Sequence, residues 1–356
     1  MPKILTIVGA RPQFIKAAVV SQALRSHTTI NELLLHTGQH FDANMSDNFF
    51  AELSISEPDY FLNIGGGTHG ENTGRMLEAI EKVCIEASPD IVLVYGDTDS
   101  TLAGALAAAK LKLPVAHVEA GLRSYNRDMP EEINRVMTDH LSLALFAPTE
   151  VAVANLKREG ICGDRVSLTG DVMLDLARMY DGKEAIRSDL EFLEREDFAL
   201  VTFHRAENTN DEEKLNWILS LIEELSEHML VVLPLHPRLR KILGSDHNQF
   251  NDKVVVTEPL AYLEIKWLLQ HCHSVFTDSG GLQKEAYFHS KLCTTIRTET
   301  EWVELVSSGW NSLAAPGMGD VSKVVQKAFG RSAPVVTDLY GNGDASKKIA
   351  ERLMRL

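Results

Sequence analysis

Two short apolar runs that flank an alanine-rich segment constrain the fold of this chain more than any other feature. Ile91–Tyr95 and Pro114–Val118 are each too short for anything but a buried strand, and Thr101–Leu111 between them should be helical. A strand, a helix and a second strand in this order form a βαβ unit, whose strands run parallel. The chain is therefore expected to build a parallel sheet covered by helices.

The same alternation of strands and helices continues through both halves of the chain. The predicted strands are Lys3–Val8, Glu32–Thr37, Leu143–Ala147 and Arg165–Thr169 in the first half, and Phe198–Phe203, Met229–Leu235, Val254–Thr257, Val275–Thr277 and Leu292–Ile296 in the second. Two such series without hairpin signals predict the α/β class, as two doubly wound domains facing across a cleft. At 356 residues the chain is long enough for two domains, and the pattern loosens between Gly170 and Asp189, where we expect the boundary.

The composition narrows the choice of partners and compartment. The formal net charge is −15, and an acidic surface repels phosphate backbones, so nucleic acid is not an expected partner. No apolar stretch approaches the length of a membrane span, and the first strand does not resemble a signal peptide, so no membrane contact is expected. The four cysteines lack paired spacing, which is typical of reduced thiols in a cytoplasmic protein.

Acidic residues follow both strands of the central βαβ unit. Asp97 lies in the turn after the first strand, Glu119 comes directly after the second, and Glu131 begins a predicted helix one loop later. Ligands of open parallel sheets bind beyond the carboxyl ends of the strands, so Asp97 and Glu119 are expected to point into a pocket. The arginines of the same stretch are Arg123 and Arg127 in the loop and Arg135 on the helix. Acids and arginines together predict a site that moves protons and binds an anion.

Basic residues lie at and just after the first strand-to-helix turn, Gly9-Ala10-Arg11-Pro12. The glycine pattern that admits a dinucleotide pyrophosphate is absent here, which argues against a dehydrogenase. Arg11 and Lys16 are interpreted as anion contacts, with surface charges as the alternative. A glycine cluster at Gly65–Gly70 is either a flexible loop or a place where backbone approaches a ligand.

Two histidines follow strands of the second half, and each has an arginine close by. His204 precedes Arg205 after one strand, and His236 follows the next strand. A lone histidine is usually structural, but this repeated placement predicts two groups that face the cleft. Ser279-Gly280-Gly281 lies at a predicted helix start, where free amides can bind an anion; a tight turn is the alternative. Glu285 on that helix could accept hydrogen bonds from ribose hydroxyls.

Two further clusters carry weaker signals. His271-Cys272-His273 resembles part of a metal site, but it has no partner pair at metal spacing and is interpreted as structural. Glu299, Glu301 and Trp302 follow another strand end, where they either line the cleft or form a solvated turn.

Motifs along almost the whole chain resemble the non-hydrolysing UDP-N-acetylglucosamine 2-epimerases. They are GARPQFIK (Gly9–Lys16), TGQH (Thr37–His40), YGDTDST (Tyr95–Thr101), HVEAGLRS (His117–Ser124), MPEEINR (Met129–Arg135) and DSGGLQKEA (Asp278–Ala286). The resemblance implies the GT-B architecture, with residues 1–172 and 173–343 as two Rossmann-like domains. It also implies a final helix, 344–356, that crosses back onto the first domain, and a homodimer.

The resemblance implies roles for the residues singled out above. Asp97, Glu119 and Glu131 match the catalytic carboxylates of the family, and His204 matches its catalytic histidine. Contacts to the UDP-sugar are assigned to Arg11, Lys16, Arg135, Arg205, His236, Ser279, Gly280, Gly281 and Glu285.

Members of that family interconvert UDP-GlcNAc and UDP-ManNAc without a metal or nicotinamide cofactor. The expected activity is inversion of C2 in a UDP-linked 2-acetamido sugar, by anti elimination of UDP to a 2-acetamidoglucal and re-addition.

Thr37–Ser46 and Thr298–Trp302 look more like a subgroup that acts on UDP-2,3-diacetamido-2,3-dideoxyglucuronate, so this sugar is the alternative substrate. Many members carry glutamine in the loop that here is Gly67–Gly70, and some of them bind a second, activating UDP-GlcNAc in that region. A GT-B glycosyltransferase and an inactive nucleotide-sugar sensor are rival hypotheses for the same motifs.

Overall fold

The structure is a computed structural model that describes residues 2–27, 29–39, 56–244 and 250–356. The chain divides into two compact units, the first made of Met1–Met179 with Asp338–Leu356 and the second of Tyr180–Thr337. Compactness does not show which segments fold independently, so the domain limits of 1–172, 173–343 and 344–356 stay a prediction.

The first unit is built on a sheet of seven parallel strands, in the order β3-β2-β1-β4-β5-β6-β7. The strands are β1 (Lys3–Val8), β2 (Asn31–His36), β3 (Tyr60–Phe61), β4 (Ile91–Tyr95), β5 (Val115–Val118), β6 (Ala144–Ala147) and β7 (Val166–Leu168). The strand order reverses between β1 and β4. In doubly wound sheets, ligands bind beyond the carboxyl ends of the strands at such a reversal.

Seven described α-helices belong to the first unit. They are α1 (Arg11–Ser26), α2 (His69–Ala87), α3 (Asp99–Lys110), α4 (Pro130–Leu141), α5 (Glu150–Arg158), α6 (Val172–Met179) and, near the end of the chain, α14 (Ala345–Leu353). The last of these packs against α1 and α6. Asp175 of α6 accepts hydrogen bonds from the amides of Ala345 (3.1 Å) and Ser346 (2.7 Å), which satisfies free donors at the start of α14.

Small residues let α3 lie close against the sheet. A Cβ atom at Gly104 would lie only 2.9 Å from Cδ1 of Ile7, so a larger residue would push the helix outward. At its start, Thr98 accepts a hydrogen bond from the amide of Thr101 at 3.3 Å and caps the helix. Close packing and a defined cap together fix the turn that carries Asp97.

The second unit repeats this plan with six parallel strands in the order β10-β9-β8-β11-β12-β13. The strands are β8 (Phe198–Thr202), β9 (Leu230–Pro234), β10 (Val254–Thr257), β11 (Ser274–Thr277), β12 (Leu292–Thr295) and β13 (Asn311–Leu313). The helices are α7 (Ala206–Thr209), α8 (Glu212–His228), α9 (Pro237–Leu243), α10 (Tyr262–His271), α11 (Gly280–Phe288), α12 (Val303–Ser307) and α13 (Val321–Phe329). Here the order reverses between β8 and β11.

The predicted fold class is confirmed, since each unit has the doubly wound parallel sheet that the GT-B class requires. Buried aliphatic side chains on both faces of the sheets form the cores, as expected for parallel strands that are covered by helices. Among the described residues, we find no helix whose length and apolar character would let it span a bilayer.

Candidate active site

Asp97 follows β4 at the strand-order reversal of the first unit, and two neighbouring side chains of α4 hold it. Its Oδ2 accepts a hydrogen bond from Nη2 of Arg135 at 2.5 Å, and its carbonyl oxygen accepts one from Nδ2 of Asn134 at 2.9 Å. The Asp97 side chain keeps 27% of its surface exposed. The carboxylate is therefore fixed in direction while one side stays open to a ligand.

Glu119 follows β5 in a conformation that few side chains adopt. Its φ is +70°, in the left-handed region, which costs a non-glycine residue about 1–3 kcal/mol. Its Oε1 accepts a hydrogen bond from Nζ of Lys16 at 2.5 Å, and both side chains are buried. Lys16, which the sequence suggested as an anion contact, thus pairs with a carboxylate of this edge.

Gly96 lies against this ion pair. Its φ is +63°, and a Cβ atom there would lie 3.2 Å from Nζ of Lys16 and 3.7 Å from Oε1 of Glu119. The backbone conformation favours glycine at this position, and an added Cβ atom would displace Nζ of Lys16 by a few tenths of an ångström.

Glu131 and Glu132 begin α4 and have opposite surroundings. Glu131 is partly exposed and has no hydrogen-bond or ion-pair partner among the described residues. Glu132 is buried, and it accepts hydrogen bonds from Nη1 of Arg135 (3.0 Å) and from the amides of Ser124 (2.9 Å) and Tyr125 (3.0 Å). Sequence reasoning missed Glu132, which ties the loop after β5 to the helix.

Arg123 does not lie among the anion-binding groups as the sequence suggested. It is buried, and it binds Oδ2 of Asp139 at 2.7 Å and both carboxylate oxygens of Glu159 at 2.7 and 2.8 Å. Burial lowers the pKa of Arg123, but the hydrogen bond to Glu159 and the charge of Asp139 outweigh burial and raise it overall. Arg123 therefore stabilises the loop, whereas Arg127 is exposed.

The glycine cluster at 65–70 leads into α2, whose first residue, His69, reaches the edge of the sheet. Nδ1 of His69 lies 2.8 Å from Oδ2 of Asp99, and Oδ1 of Asp99 accepts a hydrogen bond from Nδ2 of Asn134 at 3.2 Å.

Arg11 is the first residue of α1, but its side chain lies outside what the structure describes. His40 and the rest of the motif at 40–46 also lie outside the described residues.

In the second unit, the buried carboxylate of Asp278 holds the loop after β8. It accepts hydrogen bonds from the amides of His204 (3.1 Å) and Arg205 (3.0 Å) and from Nδ2 of Asn208 (2.9 Å). The ring of His204 stacks on that of His236, with centroids 5.1 Å apart. Sequence reasoning did not single out Asp278, although its place before Ser279, at the end of β11, was a usable signal.

Ser279, Gly280 and Gly281 lie where β11 passes into α11. The Ser279 side chain does not cap the helix, and Glu285 is buried one turn further on. A Cβ atom at Gly280 would lie 2.7 Å from Oε1 of Glu301, so a larger residue here would displace the Glu301 carboxylate. The amides at a helix start of this kind favour an anion such as a phosphate.

Glu301 and Trp302 are buried, so the solvated turn that the sequence left open is wrong for them. Oε2 of Glu301 accepts a hydrogen bond from Nη1 of Arg297 at 2.9 Å, and Nζ of Lys284 lies 3.9 Å from the centre of the Trp302 ring.

The buried thiol of Cys272 has a pKa raised to about 12 by burial, which suits an inert structural cysteine. Within the described ranges, no group of three or more His, Cys, Asp and Glu side chains could hold a metal ion.

Comparison with known proteins places this geometry in context. A family model described as UDP-N-acetylglucosamine 2-epimerase matches residues 22–354. The chain is 50% identical to the UDP-2,3-diacetamido-2,3-dideoxy-D-glucuronate 2-epimerase of Pseudomonas aeruginosa, over 99% of this chain and 100% of the relative. It is similar to the crystal structure of Methanocaldococcus jannaschii UDP-GlcNAc 2-epimerase in complex with UDP-GlcNAc and UDP, with a TM-score of 0.91, 40% identity and coverage of 99% and 100% of the two chains. The Neisseria meningitidis UDP-GlcNAc 2-epimerase bound to UDP-GlcNAc is similar with a TM-score of 0.90, 34% identity and coverage of 99% and 100%.

Proposed function

Because this chain belongs to the UDP-N-acetylglucosamine 2-epimerase family, we propose that it inverts C2 of a UDP-linked 2-acetamido sugar. The observation that carries the proposal is the set of acids at one edge of the first sheet. Asp97 and Glu119 follow adjacent strands, and the helix that begins with Pro130 and carries Glu131 also holds Asp97. An enzyme that moves a proton at carbon needs carboxylates in such an arrangement.

The chemistry of inversion at C2 explains why the site needs carboxylates and also a place to bind an anion. The proton at C2 is not adjacent to a carbonyl group, so a carboxylate alone cannot remove it. When the bond between C1 and the UDP oxygen breaks, UDP leaves with the electron pair and C1 gains oxocarbenium character, which makes the C2 proton acidic. A carboxylate then takes that proton and a 2-acetamidoglucal forms. Re-addition of UDP with protonation of C2 on the other face completes the inversion, without net oxidation or reduction.

The three acids differ in how free they are to exchange a proton. Asp97 is bound to Arg135 and Glu119 to Lys16, so proton transfer to either would disrupt an ion pair. Glu131 has no partner among the described residues, so a change in its protonation breaks no contact there. We therefore assign Glu131 a direct part in proton transfer at C2, with Asp97 and Glu119 completing the catalytic set.

The second unit supplies groups suited to the departing nucleotide. The amides of Ser279, Gly280 and Gly281 can bind the diphosphate, and Glu285 can bind ribose hydroxyls. His204, as an imidazolium, can stabilise the negative charge that develops on UDP, and preorganised donors of this kind contribute a few kcal/mol each. Arg11, Arg205 and His236 are further proposed contacts. Arg135 acts through Asp97, which it holds directly.

The sugar is proposed to be UDP-2,3-diacetamido-2,3-dideoxyglucuronate. The 50% identity to a relative named for this substrate, over almost the full length of both chains, favours it. UDP-GlcNAc is the second candidate, favoured by the names of relatives at 41% and lower identity.

The remaining features of the proposal concern cofactor, assembly and compartment. We propose that neither a metal nor a nicotinamide takes part; elimination and re-addition involve no hydride transfer, so a nicotinamide has no role in this route. We propose a homodimer, which light scattering of the purified chain would test. A cytoplasmic location is supported by four cysteines that form no disulfide, of which Cys162 is exposed.

The test is to incubate the purified protein with each UDP-sugar in D2O and to follow C2 by NMR. Deuterium at C2 together with the C2 epimer is the expected result, with faster turnover of the uronate. If neither deuterium at C2 nor the C2 epimer appeared with either of the two sugars, the proposed function would be wrong. Transfer of the sugar to an added acceptor, without exchange at C2, would indicate a glycosyltransferase instead.

A further inference from the structure

The imidazole ring of His117, on β5, makes two hydrogen bonds inside the first unit, and both partners are acceptors. Its Nδ1 lies 2.7 Å from Oδ1 of Asp139 on α4, and its Nε2 lies 2.8 Å from the carbonyl oxygen of Gly96. The side chains of His117 and Asp139 are fully buried, so water does not compete for either bond. A carbonyl oxygen can only accept, so Nε2 must carry a proton. An ionised carboxylate can also only accept, so Nδ1 must carry the second proton.

Two donors other than His117 favour the ionised form of Asp139. Its Oδ2 accepts hydrogen bonds from Nη1 of Arg123 at 2.7 Å and from the amide of Gly121 at 3.0 Å. Glu159 binds the far side of Arg123. Glu159 is 23% exposed and also lies 3.4 Å from Nε2 of His140, so Asp139 is the fully buried acid of this network. A neutral His117 would leave Asp139 to share one buried cation, Arg123, with Glu159, whereas a protonated His117 gives it a cation of its own.

We propose that His117 is a buried imidazolium that positions Asp97 and Glu119 for the reaction. The inference rests on the proposed function, because it concerns the residues assigned to that chemistry.

The route from His117 to Asp97 is a single peptide unit. His117 holds the carbonyl oxygen of Gly96, and that carbonyl belongs to the peptide bond that leads into Asp97. Asn134 holds the next carbonyl oxygen, and Arg135 holds the Asp97 carboxylate. The peptide and side chain of Asp97 are thus held at three points, of which His117 supplies the one nearest to β4.

The route to Glu119 is along β5 and the loop after it. His117 precedes Glu119 by two residues, and Asp139 binds the amide of Gly121, two residues after Glu119. The His117–Asp139 pair therefore holds the chain on both sides of Glu119, whose backbone has a φ of +70°. Surrounding contacts of this kind are what keep a strained conformation populated.

The protonation state can be tested on the unmodified protein. In a sample labelled with 15N at histidine, His117 should show both ring nitrogens bonded to hydrogen at neutral pH, and these signals should be missing in His117→Gln. An unprotonated ring nitrogen in His117 would overturn the proposal. This result does not depend on activity, so it stands apart from the test of the proposed function.

The positioning role is tested by kinetics on whichever UDP-sugar the unmodified enzyme epimerises. Glutamine can donate to Gly96 but carries no charge, so His117→Gln is expected to lose about 10- to 100-fold in kcat with little change in KM, the size of effect that follows from small misplacement of reacting groups. His117→Asn is a second variant, in case the first does not fold.

The control is Asp175→Asn, which weakens the attachment of α14 in the same unit without touching the site residues. It should lower the Tm without lowering kcat. An unchanged kcat in a folded His117 variant would overturn the positioning role. The role would also be overturned if kcat fell only in proportion to the fraction of the variant that is unfolded. If the unmodified enzyme exchanges no deuterium at C2, the proposed function fails and the positioning role fails with it.

Discussion

The ammonium nitrogen of Lys16 lies 2.5 Å from Oε1 of Glu119, in a part of the first unit where water has little access to either group. A buried ion pair of this kind contributes little net stability compared with an apolar pair of the same shape, but removing one partner leaves the other charge in a poor environment. The pair therefore makes the edge of the sheet sensitive to substitution at Lys16 and at the glycine beside it.

Replacing Lys16 with methionine keeps the length of the side chain and removes its charge. We expect Lys16→Met to lower the free energy of unfolding by about 3 kcal/mol, because Glu119 loses its cation in a buried position. Urea denaturation measures this, and Lys82→Met is the matched control, since the Lys82–Glu78 pair is exposed. No resolvable change is expected for the control, and equal losses in the two variants would contradict the explanation.

Adding a methyl group at Gly96 tests the contact between that residue and the ion pair. Gly96→Ala and Gly182→Ala both place alanine at a positive φ, which costs about 1–2 kcal/mol in each case. A Cβ atom at Gly182 would have nothing within 4 Å, whereas at Gly96 it would press on Lys16. We expect only Gly96→Ala to lose epimerase activity as well as stability. Full activity in that variant would show that the ion pair tolerates displacement.

Removing the acid at Glu131 should slow the chemical step without affecting nucleotide binding. Glu131→Gln is expected to reduce kcat by about 10²- to 10⁴-fold, the usual contribution of a positioned acid or base. UDP affinity, measured by calorimetry, should stay the same. Glu150→Gln is the control, because Glu150 is an exposed acid in the first turn of the next helix. A kcat close to that of the unmodified enzyme would exclude Glu131 from proton transfer.

His289 should make the second unit less stable as the pH falls. Burial, and then the positive charge of Lys266, lower the pKa of His289 from 6.5 to about 4. Folded His289 thus stays neutral while the unfolded chain takes up a proton below pH 6.5, so its contribution is complete above pH 6.5 and is lost as the pH falls toward 4. That contribution is at most about 3 kcal/mol.

The measurement is the free energy of unfolding between pH 7 and pH 4, compared with His289→Gln. The unmodified protein should lose more stability over this range than the variant, which has no group to titrate at that position. His228→Gln, which removes an exposed histidine of the same unit, is the control for loss of an imidazole ring as such. Parallel curves for the unmodified protein and His289→Gln would contradict the prediction.

The parallel sheets could be predicted because their central strands are buried on both faces and appear as short apolar runs. β4 begins and ends where the sequence predicts, and β5 differs by one residue. β3 and β13 were not predicted. Tyr60–Phe61 is a two-residue edge strand, and Asn311–Leu313 is a short edge strand with two polar residues, so neither forms an apolar run.

The site could be predicted less completely, because its supporting contacts join residues that are far apart in sequence. Arg123 was placed correctly in a loop near the acids, but its partners Asp139 and Glu159 lie 16 and 36 residues away. The choice between Glu131 and Glu132 depends on the rotation of α4, which sequence spacing does not determine. The contacts with Ser124, Tyr125 and Arg135 show that Glu132 is the structural acid.

Helix α4 has one further consequence for how this enzyme could change. Through Asn134, Arg135 and Asp139, a single helix holds the residues that follow both β4 and β5. A mutation that slid or rotated it would disturb every acid at once, so selection for a new sugar has little freedom there. Diversification is expected instead in segments that make no contact with α4, which can vary while the proton-transfer apparatus is inherited intact.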